Sequence, residues 1–242
     1  MSVNIVLCGA SGRLGMEFLK ETKNHPSINL MECISSKNNV NIGKKFSEFT
    51  DLDFELTLKD SLAETEVADV LVDMSSPKFF EEIVKYCRFK KVPLILASTG
   101  HSEEQIDILR ELSQIVPIMH APNLSVGINL VKKILNFYPL DDLVNSIEII
   151  ETHHKNKLDS PSGTAIELRN LIESKNSEVK ISVKSIRDED SVGIHTIKLN
   201  MANETIEITH RANSRKIFAQ GAITAVHWIK TQKPGLYSLG NI

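Results

Sequence analysis

Short apolar runs alternate with segments of helical spacing along the first half of the chain. The run at 3–8 has strand length, and the segment after it has a helical pattern that continues through Phe18 and Leu19. Further elements of both kinds follow, with strands near 28–34, 68–73, 92–97 and 116–120 and helices at 77–88 and 102–112. Because strands that alternate with helices form a parallel sheet covered by helices, this half predicts an α/β domain with a doubly wound parallel sheet.

The second half contains fewer helices and more strands. A helix is predicted from 124 to 137, and its apolar face consists of Val126, Leu130, Ile134 and Phe137. Four strands follow, near 147–150, 179–186, 194–199 and 205–209, and a last helix at 212–229. The final two strands flank Ala202-Asn203, which is typical of a hairpin turn. This half predicts a smaller α+β domain with a mixed or antiparallel sheet.

The first predicted strand ends in a turn that contains three glycines. Gly9 can adopt a tight turn, Gly12 lets the backbone approach a pyrophosphate, and Gly15 permits close packing of helix on strand. The amides of the following helix can receive the phosphates, and Arg13 adds positive charge. The spacing is Gly-x-x-Gly-x-x-Gly, which differs from the usual dinucleotide pattern, but its position after the first strand favours a Rossmann-like nucleotide site.

Three other polar loops follow strands of the same predicted sheet. They lie at 75–77, 97–100 and 121–124. Ligands of such sheets bind beyond the carboxyl ends of the strands, so these loops are expected to line one crevice with the glycine turn. Serine, proline, glycine and asparagine are also ordinary turn residues, and this alternative stays open.

The densest group of reactive side chains lies at 148–165, between a predicted strand and a predicted helix. The strand delivers His153 and His154 to its end, and Lys155 and Lys157 follow. The helix is predicted to begin with Ser160 as its cap and Pro161 at its first position, which leaves first-turn amides, including those of Gly163 and Thr164, unpaired. Two imidazoles, two ammonium groups and a helix start suit a small anion that receives a proton during its reaction.

Charge and composition exclude several classes of function. The net charge of −3 comes with dispersed basic residues, which argues against a nucleic-acid partner. No apolar run approaches the ~20 residues of a membrane helix, and the start of the chain lacks a basic leader, so we expect a soluble cytoplasmic protein without a membrane partner. Cys8, Cys33 and Cys87 lie far apart in apolar segments, which favours reduced core thiols.

The stretch from His153 to Ala165 closely resembles the signature His-His-x-x-Lys-x-Asp-x-Pro-Ser-Gly-Thr-Ala of the 4-hydroxy-tetrahydrodipicolinate reductase family. The similarity covers nearly the whole chain. It includes the glycine turn and the segments 73–77, 98–100, 121–127, 208–215, 218–219 and 235–237. The resemblance implies an NAD(P)H-dependent reductase with a small dicarboxylate substrate, and NADPH or NADH as its cofactor.

The resemblance also implies roles for individual residues. His153 and Lys157 correspond to the catalytic histidine and lysine, and His154, Gly163 and Thr164 to substrate contacts. The implied cofactor contacts are Gly9, Ala10, Ser11, Gly12, Arg13, Leu14, Ala97, Ser98, Thr99, Ala121, Pro122, Asn123 and Leu124. Leu124 stands where many members have Phe, Ala97 stands where many have Gly, and the segment 35–45 is short.

Pattern and resemblance together predict two domains. Residues 1–124 form a dinucleotide-binding domain, to which 213–242 returns. Residues 125–212 form a substrate-binding and oligomerisation domain. Family members are homotetramers that join through the sheets of this second domain, so the resemblance implies a homotetramer.

Two other classes of function are compatible with parts of the chain. A dinucleotide sensor or scaffold would keep the fold without turnover, although intact His153 and Lys157 argue against it. A metal-dependent hydrolase would use His153, His154 and His120, but the chain lacks a convincing ligand spacing, and we expect no metal. The remaining histidines are expected to be surface or satisfied residues rather than metal ligands; they are His25, His101, His195, His210 and His227.

Cofactor preference depends on the residues after the second predicted strand. An acidic side chain at that point would bind the adenine ribose and repel a 2′-phosphate. The segment here is Ile34-Ser35-Ser36-Lys37, without a carboxylate, and Glu32 lies within the strand. We therefore expect NADPH to be accepted at least as well as NADH, with Lys37 and Arg13 available to neutralise a phosphate.

Overall fold

The structure is a computed structural model of the chain that describes residues 2–137 and 144–242. Strands β1 to β11 are Val3–Cys8, Ile28–Ile34, Leu58–Lys59, Val70–Asp73, Leu94–Leu96, Pro117–His120, Ser146–His154, Lys180–Asp188, Gly193–Asn200, Thr205–Ala212 and Gly235–Tyr237. Helices α1 to α6 are Arg13–Thr22, Phe80–Lys90, Glu103–Leu112, Val126–Phe137, Gly163–Glu173 and Lys216–Ile229. Short 3₁₀ turns lie at Phe46–Glu48, Pro77–Phe79 and Leu239–Asn241.

The chain divides into two compact units. Unit 1 contains Met1–Leu124 and Phe218–Ile242, and unit 2 contains Ser125–Ile217. The functions predicted for the two domains stay predictions. Within the described ranges, none of the helices has the length and apolar character needed to cross a membrane.

Unit 1 is built on a seven-stranded parallel sheet with the order β11-β6-β5-β4-β1-β2-β3. Chain order therefore reverses at β1, which lies between β2 and β4, as in dinucleotide-binding sheets. The predicted doubly wound parallel sheet is confirmed. The short edge strands β3 and β11 were not predicted, because two or three residues give no readable alternation.

Alternating residues of β1 show how both faces of this sheet are covered. Val3, Ile5 and Leu7 belong to a core that includes residues of α1 and α6. Val6 and Cys8 point the other way, into a core that includes residues of α2 and α3. Cys8, Cys33 and Cys87 are buried free thiols, which confirms their predicted place in the core.

Unit 2 contains a four-stranded mixed sheet with the order β10-β9-β7-β8. Strand β7 runs parallel to β8 and antiparallel to β9, and β9 and β10 form the predicted antiparallel hairpin. One face of the sheet packs against α4 and α5 through Ile147, Ile149, Leu168 and Ile172, among others. We call this side of the sheet its core face.

Three details of the predicted elements are wrong. Helix α5 begins at Gly163 with Ser162 as its cap, not at Ser160-Pro161, because Oγ of Ser162 accepts the amide hydrogen of Ala165 at 3.2 Å. Helix α6 begins at Lys216, because Ala212 still pairs with β9 as the last residue of β10. The face of α4 predicted as apolar is exposed, and its buried apolar residues are Ile128, Val131 and Leu135.

Candidate active site

The core face of β7 changes from apolar to polar along the strand. Ile147 and Ile149 are buried in the core of unit 2, and the next residues on the same face are Glu151 and His153. The two polar residues are only 0% and 8% exposed, respectively. The strand thus carries a carboxylate and an imidazole next to each other at the carboxyl end of its core face.

Glu151 and His153 are hydrogen-bonded, and an arginine from the neighbouring strand joins them. Nδ1 of His153 bonds to Oε2 of Glu151, while Nη1 of Arg187 donates to Oε1 at 3.0 Å. Arg187 reaches this carboxylate because it stands beside His153 in the register of β7 and β8. The guanidinium also donates to the backbone oxygens of Ile186 and Asp159, each at 2.8 Å.

Burial and hydrogen bonding determine the charge of this pair. Burial alone would raise the pKa of Glu151, but hydrogen bonds with Ser185, His153 and Arg187 lower that pKa below its ordinary value. Burial lowers the pKa of His153, and this effect outweighs the opposing effect of Glu151, while Lys157 and Arg187 lower it further by repulsion. Glu151 is therefore an anion, and His153 gives up a proton more readily than a histidine in water.

Lys157 brings a second proton-carrying group to this end of the strand. Its side chain is 22% exposed, and its ammonium group pairs with Asp159 at 2.8 Å. That ion pair, with help from the Gly163 amide, holds the pKa of Asp159 below its ordinary value. The charge of Lys157 also lowers the pKa of His153, so the two groups interact electrostatically.

The start of helix α5 has the features of an anion site. Its first turn contains no acidic residue, and the amide of Gly163 donates to the carboxylate of Asp159. A Cβ atom placed on Gly163 would meet nothing within 4 Å, so there is space for a ligand beside that amide. Thr164 is the second residue of the same turn. The interaction of Asp159 with this amide is of the kind that a helix N-terminus makes with an anion.

His195 supports both the cap of this helix and the ring of His153. Its Nε2 lies 3.2 Å from Oγ of Ser162, and its ring packs edge-on against that of His153 with centroids 5.1 Å apart. Burial lowers the pKa of His195 to about 4, with a further contribution from His153. The ring is therefore neutral near pH 7.

The expectation that His195 and His210 are surface or satisfied histidines is wrong. His210, His195 and Glu151 stand side by side on three neighbouring strands, on the core face. Both imidazoles use Nε2, toward Ser162 and Ser125, and each Nδ1 is a buried atom without a hydrogen-bond partner in the described part of the chain. The register of β9 and β10, which the sequence does not reveal, turns these side chains inward.

His154 does not share the core face with His153, because neighbouring residues of a strand point to opposite sides. Its Nε2 lies 3.4 Å from Nη2 of Arg215 instead. Two histidines that point apart do not form a metal site together. Over residues 2–137 and 144–242, no group of three or more His, Cys, Asp and Glu side chains could hold a metal ion.

In unit 1, the glycine turn has the geometry that a dinucleotide requires. Gly9 has a φ of +82°, and a Cβ atom there would lie 2.4 Å from the backbone oxygen of Met74. A Cβ atom on Gly15 would lie 2.2 Å from the oxygen of Gly9, so only glycine allows α1 to pack this closely. Gly12 caps α1 without a side-chain hydrogen bond, which leaves its first-turn amides available to a phosphate.

The other predicted cofactor residues lie at the same edge of the unit 1 sheet. Ala97, Ser98 and Thr99 follow β5, and the segment 121–124 follows β6, the next parallel strand. Oγ of Ser98 donates to the buried carboxylate of Asp73 at the end of β4. These residues therefore fit a dinucleotide that lies across the carboxyl ends of the strands.

The segment 34–37 at the end of β2 carries no carboxylate, as the sequence indicated. Ser35 lies against the glycine turn, with its Oγ 2.5 Å from that of Ser11, and Asn39 donates to Ser11 at 2.9 Å. Glu32 is occupied elsewhere, since it pairs with Lys59 at 2.9 Å and accepts from Thr65 at 2.7 Å.

Comparison with known families gives the same answer for both halves of the chain. A family model described as dihydrodipicolinate reductase, N-terminus, matches residues 3–124, and its C-terminal counterpart matches residues 127–242. The chain belongs to the dihydrodipicolinate reductase family. It is therefore an oxidoreductase of lysine and diaminopimelate biosynthesis, and its N-terminal domain implies a pyridine-nucleotide cofactor. The resemblance found in the signature stretch is confirmed.

Relatives of similar length share this assignment. A 4-hydroxy-tetrahydrodipicolinate reductase of Buchnera aphidicola subsp. Cinara cedri is 35% identical, over 98% of this chain and 96% of its own. One from Clostridium novyi is 32% identical, over 98% and 97% of the two chains. The solved structure of a dihydrodipicolinate reductase from Paenisporosarcina sp. TG-14 with bound dipicolinate shares the fold, with a TM-score of 0.84 at 22% identity and full coverage of both chains.

Four residues around the dihydrodipicolinate reductase signature were missed by the sequence reasoning. They are Glu151, Ser162, Arg187 and His195. Glu151 could have been identified from the sequence, because the alternation of β7 places it on the same face as His153. Arg187 and His195 belong to other strands, and only the register of the sheet brings them to the site.

Proposed function

We propose that the chain reduces 4-hydroxy-tetrahydrodipicolinate to tetrahydrodipicolinate, with a proton supplied by His153 or Lys157. The hydroxyl group leaves as water together with a hydrogen of the neighbouring ring carbon, the cofactor supplies a hydride to the carbon that carried the hydroxyl group, and the proton goes to that neighbouring carbon. One observation carries this proposal: unit 2 places an imidazole, an ammonium group and a helix start at the carboxyl end of one strand. Each can act on a small anion that must be protonated.

The proton donor is proposed from the charges around His153 and Lys157. An imidazolium at His153 would be stabilised by Glu151 and made more acidic by burial. The ammonium group of Lys157 pairs with Asp159 and interacts electrostatically with that ring. Both groups are therefore candidates for the proton donor, and variants of each residue distinguish them.

The substrate is proposed to be a small dicarboxylate held at the start of α5. The solved relative binds dipicolinate, a dicarboxylate. Gly163 and Thr164 would donate their amides to one carboxylate, as the Gly163 amide does to Asp159. Lys157 would contribute positive charge, whereas His154, the other proposed substrate contact, stands on the other face of β7.

NADPH or NADH is proposed to bind to unit 1. The segment from Gly9 to Leu14 would hold the pyrophosphate, since the unpaired amides of α1 and the guanidinium of Arg13 suit an anion. The segments 97–99 and 121–124 would line the rest of the dinucleotide. A homotetramer and a cytoplasmic location, both inferred from the sequence, remain part of the proposal.

The direct test is cofactor oxidation by the purified chain, with the substrate made in situ by a coupled synthase. We expect substrate-dependent loss of the reduced cofactor with NADPH or NADH. Binding of the dinucleotide without any oxidation would contradict the proposal and favour the sensor or scaffold alternative.

A further inference from the structure

Glu151 is a fully buried carboxylate that lies outside the signature stretch. It is 0% exposed, and burial of a carboxylate costs free energy unless its oxygens are paired. Its two oxygens have different partners. Oε1 accepts from Arg187 and Oε2 bonds to Nδ1 of His153.

The arginine explains why Glu151 can stay charged inside unit 2. Nη1 of Arg187 lies 3.0 Å from Oε1, and the guanidinium is anchored by two backbone oxygens. Together with Ser185, these contacts keep the carboxylate ionised. An ionised carboxylate only accepts hydrogen bonds, so the hydrogen between Glu151 and His153 is on Nδ1 of the histidine.

That contact fixes the protonation pattern of the His153 ring. A neutral imidazole carries one N–H group, so a hydrogen on Nδ1 leaves the lone pair on Nε2. Nε2 has no hydrogen-bond partner within the described residues. Gly193 on β9 lies beside this nitrogen, and a Cβ atom added to Gly193 would lie 3.1 Å from Nε2. The ring is therefore held at Nδ1 by Glu151, while Nε2 lies beside a residue without a side chain.

We propose that Glu151 is the positioning residue of this reductase, which holds His153 as the Nδ1–H form and stabilises its imidazolium, so that Nε2 carries the transferred proton. In the step itself, the Nε2–H bond breaks as the proton moves to the substrate carbon, and the ring becomes neutral with its hydrogen on Nδ1. Glu151 stays a carboxylate throughout, and Nε2 regains a proton from water. This inference rests on the proposed role of His153.

Charged and titratable groups face His153 from every neighbouring element. They are Glu151 on β7, Arg187 on β8, His195 on β9 and Lys157 after β7. Only Glu151 is an anion, and it acts against burial and the two cations. Loss of its charge should therefore lower the pKa of His153, so that an activity that needs the protonated ring is lost at lower pH.

The test is ¹⁵N NMR of the imidazole nitrogens, combined with kinetics of Glu151→Gln. The signals of His153 are assigned by their absence in His153→Gln. In the wild type at a pH where the ring is neutral, we expect a protonated Nδ1 and an unprotonated Nε2. In Glu151→Gln, we expect the hydrogen to redistribute toward Nε2, kcat to fall by about 10² or more, and the high-pH limb of kcat to move to lower pH.

A matched control separates this role from a general effect on the strand. Glu148→Gln makes the same change on the same strand, but on the opposite face. It should leave the His153 signals and kcat as in the wild type.

The outcomes distinguish this inference from the proposed function. An unchanged hydrogen position in Glu151→Gln would overturn the inference, whatever the activity. If the hydrogen moves to Nε2 in Glu151→Gln but kcat stays at the wild-type value, Glu151 does not contribute to catalysis. Wild-type turnover by His153→Gln would instead contradict the proposed function, because His153 would then not be needed. If Glu151→Gln does not fold, the wild-type spectrum still decides, since a protonated Nε2 and a bare Nδ1 in the neutral ring would contradict the contact.

Discussion

His195 is the residue whose ionisation the fold perturbs most clearly among the histidines. Its ring is 5% exposed, it bonds to the cap of α5, and burial lowers its pKa to about 4. A histidine that is neutral when folded and charged when unfolded favours unfolding once the pH falls below its ordinary pKa. The ionisation of His195 thus makes the stability of unit 2 depend on pH.

The stability of the chain should therefore depend on His195 between about pH 6.5 and pH 4. The pKa is lower in the folded state than in the unfolded state, so the stabilising contribution is fully present above about pH 6.5 and is lost as the pH falls toward 4. The loss amounts to about 3 kcal/mol over this range. In denaturant unfolding at several pH values, the free energy of unfolding of His195→Gln should fall less than that of the wild type as the pH is lowered from about 6.5 to 4. The control for the substitution itself is His227→Gln at an exposed position, and parallel curves for His195→Gln and wild type would refute the assignment.

The preference for NADPH or NADH can be tested by introducing one negative charge at Ser36. The end of β2 carries Ser35, Ser36 and Lys37 without a carboxylate, and Glu32 is paired with Lys59. We expect kcat/KM with NADPH to equal or exceed that with NADH, and an NADPH advantage to shrink as salt screens Lys37 and Arg13.

Ser36→Asp places a carboxylate at this exposed position and should lower kcat/KM for NADPH more than for NADH. Ser36→Asn has nearly the same shape without the charge, and serves as the control. A strong NADH preference in the wild type at both low and moderate salt would contradict the expectation.

At the scale of elements, helix α5 connects stability to substrate binding through its first turn. Ser162 caps the helix at the Ala165 amide, and the same hydroxyl bonds to His195. The proposed carboxylate site uses the next residues, Gly163 and Thr164. A change at the cap should therefore affect both the fold and the ligand.

Ser162→Ala should lower the free energy of unfolding by about 1 kcal/mol, as is typical for a lost cap, and should also raise KM for the substrate. The control is Ser102→Ala, because Ser102 caps α3 in unit 1 through the Gln105 amide at 3.3 Å. It should cost similar stability without a change in substrate KM. Equal effects of both variants on KM would contradict the carboxylate site at α5.

The elements also show how far the sequence could take the prediction. The alternation of β7 and the capping pattern of α3 were readable, because each is a local signal. The start of α5 was misplaced, because Ser160 and Ser162 are both acceptable caps and only the contact with Ala165 separates them. The exposed face of α4 was misjudged for a related reason: apolar spacing identifies a stripe on a helix, but not what covers it.

For the whole molecule, the fold class followed from the order of its elements. Alternating strands and helices predicted the parallel sheet of unit 1, and the closely spaced strands after 179 predicted the mixed sheet of unit 2. The candidate active site was only half predictable. His153, Lys157 and Gly163 lie close together in sequence, whereas Arg187 and His195 join them through strand register.

The two units are proposed to carry out different parts of the reaction, and this assignment can be tested directly. Dinucleotide binding is assigned to unit 1 and proton delivery to unit 2, so a change at His153 or Lys157 should affect chemistry and not cofactor binding. The decisive measurement is kcat of His153→Gln and Lys157→Ala, together with the dissociation constant of the reduced cofactor for each variant.

We predict that kcat falls by about 10² to 10⁴, the usual contribution of a positioned proton donor, while the dissociation constant stays near that of the wild type. Wild-type turnover in either variant would show that the residue does not deliver the proton. A loss of cofactor binding that accounts for the lost activity would contradict the placement of the chemistry in unit 2.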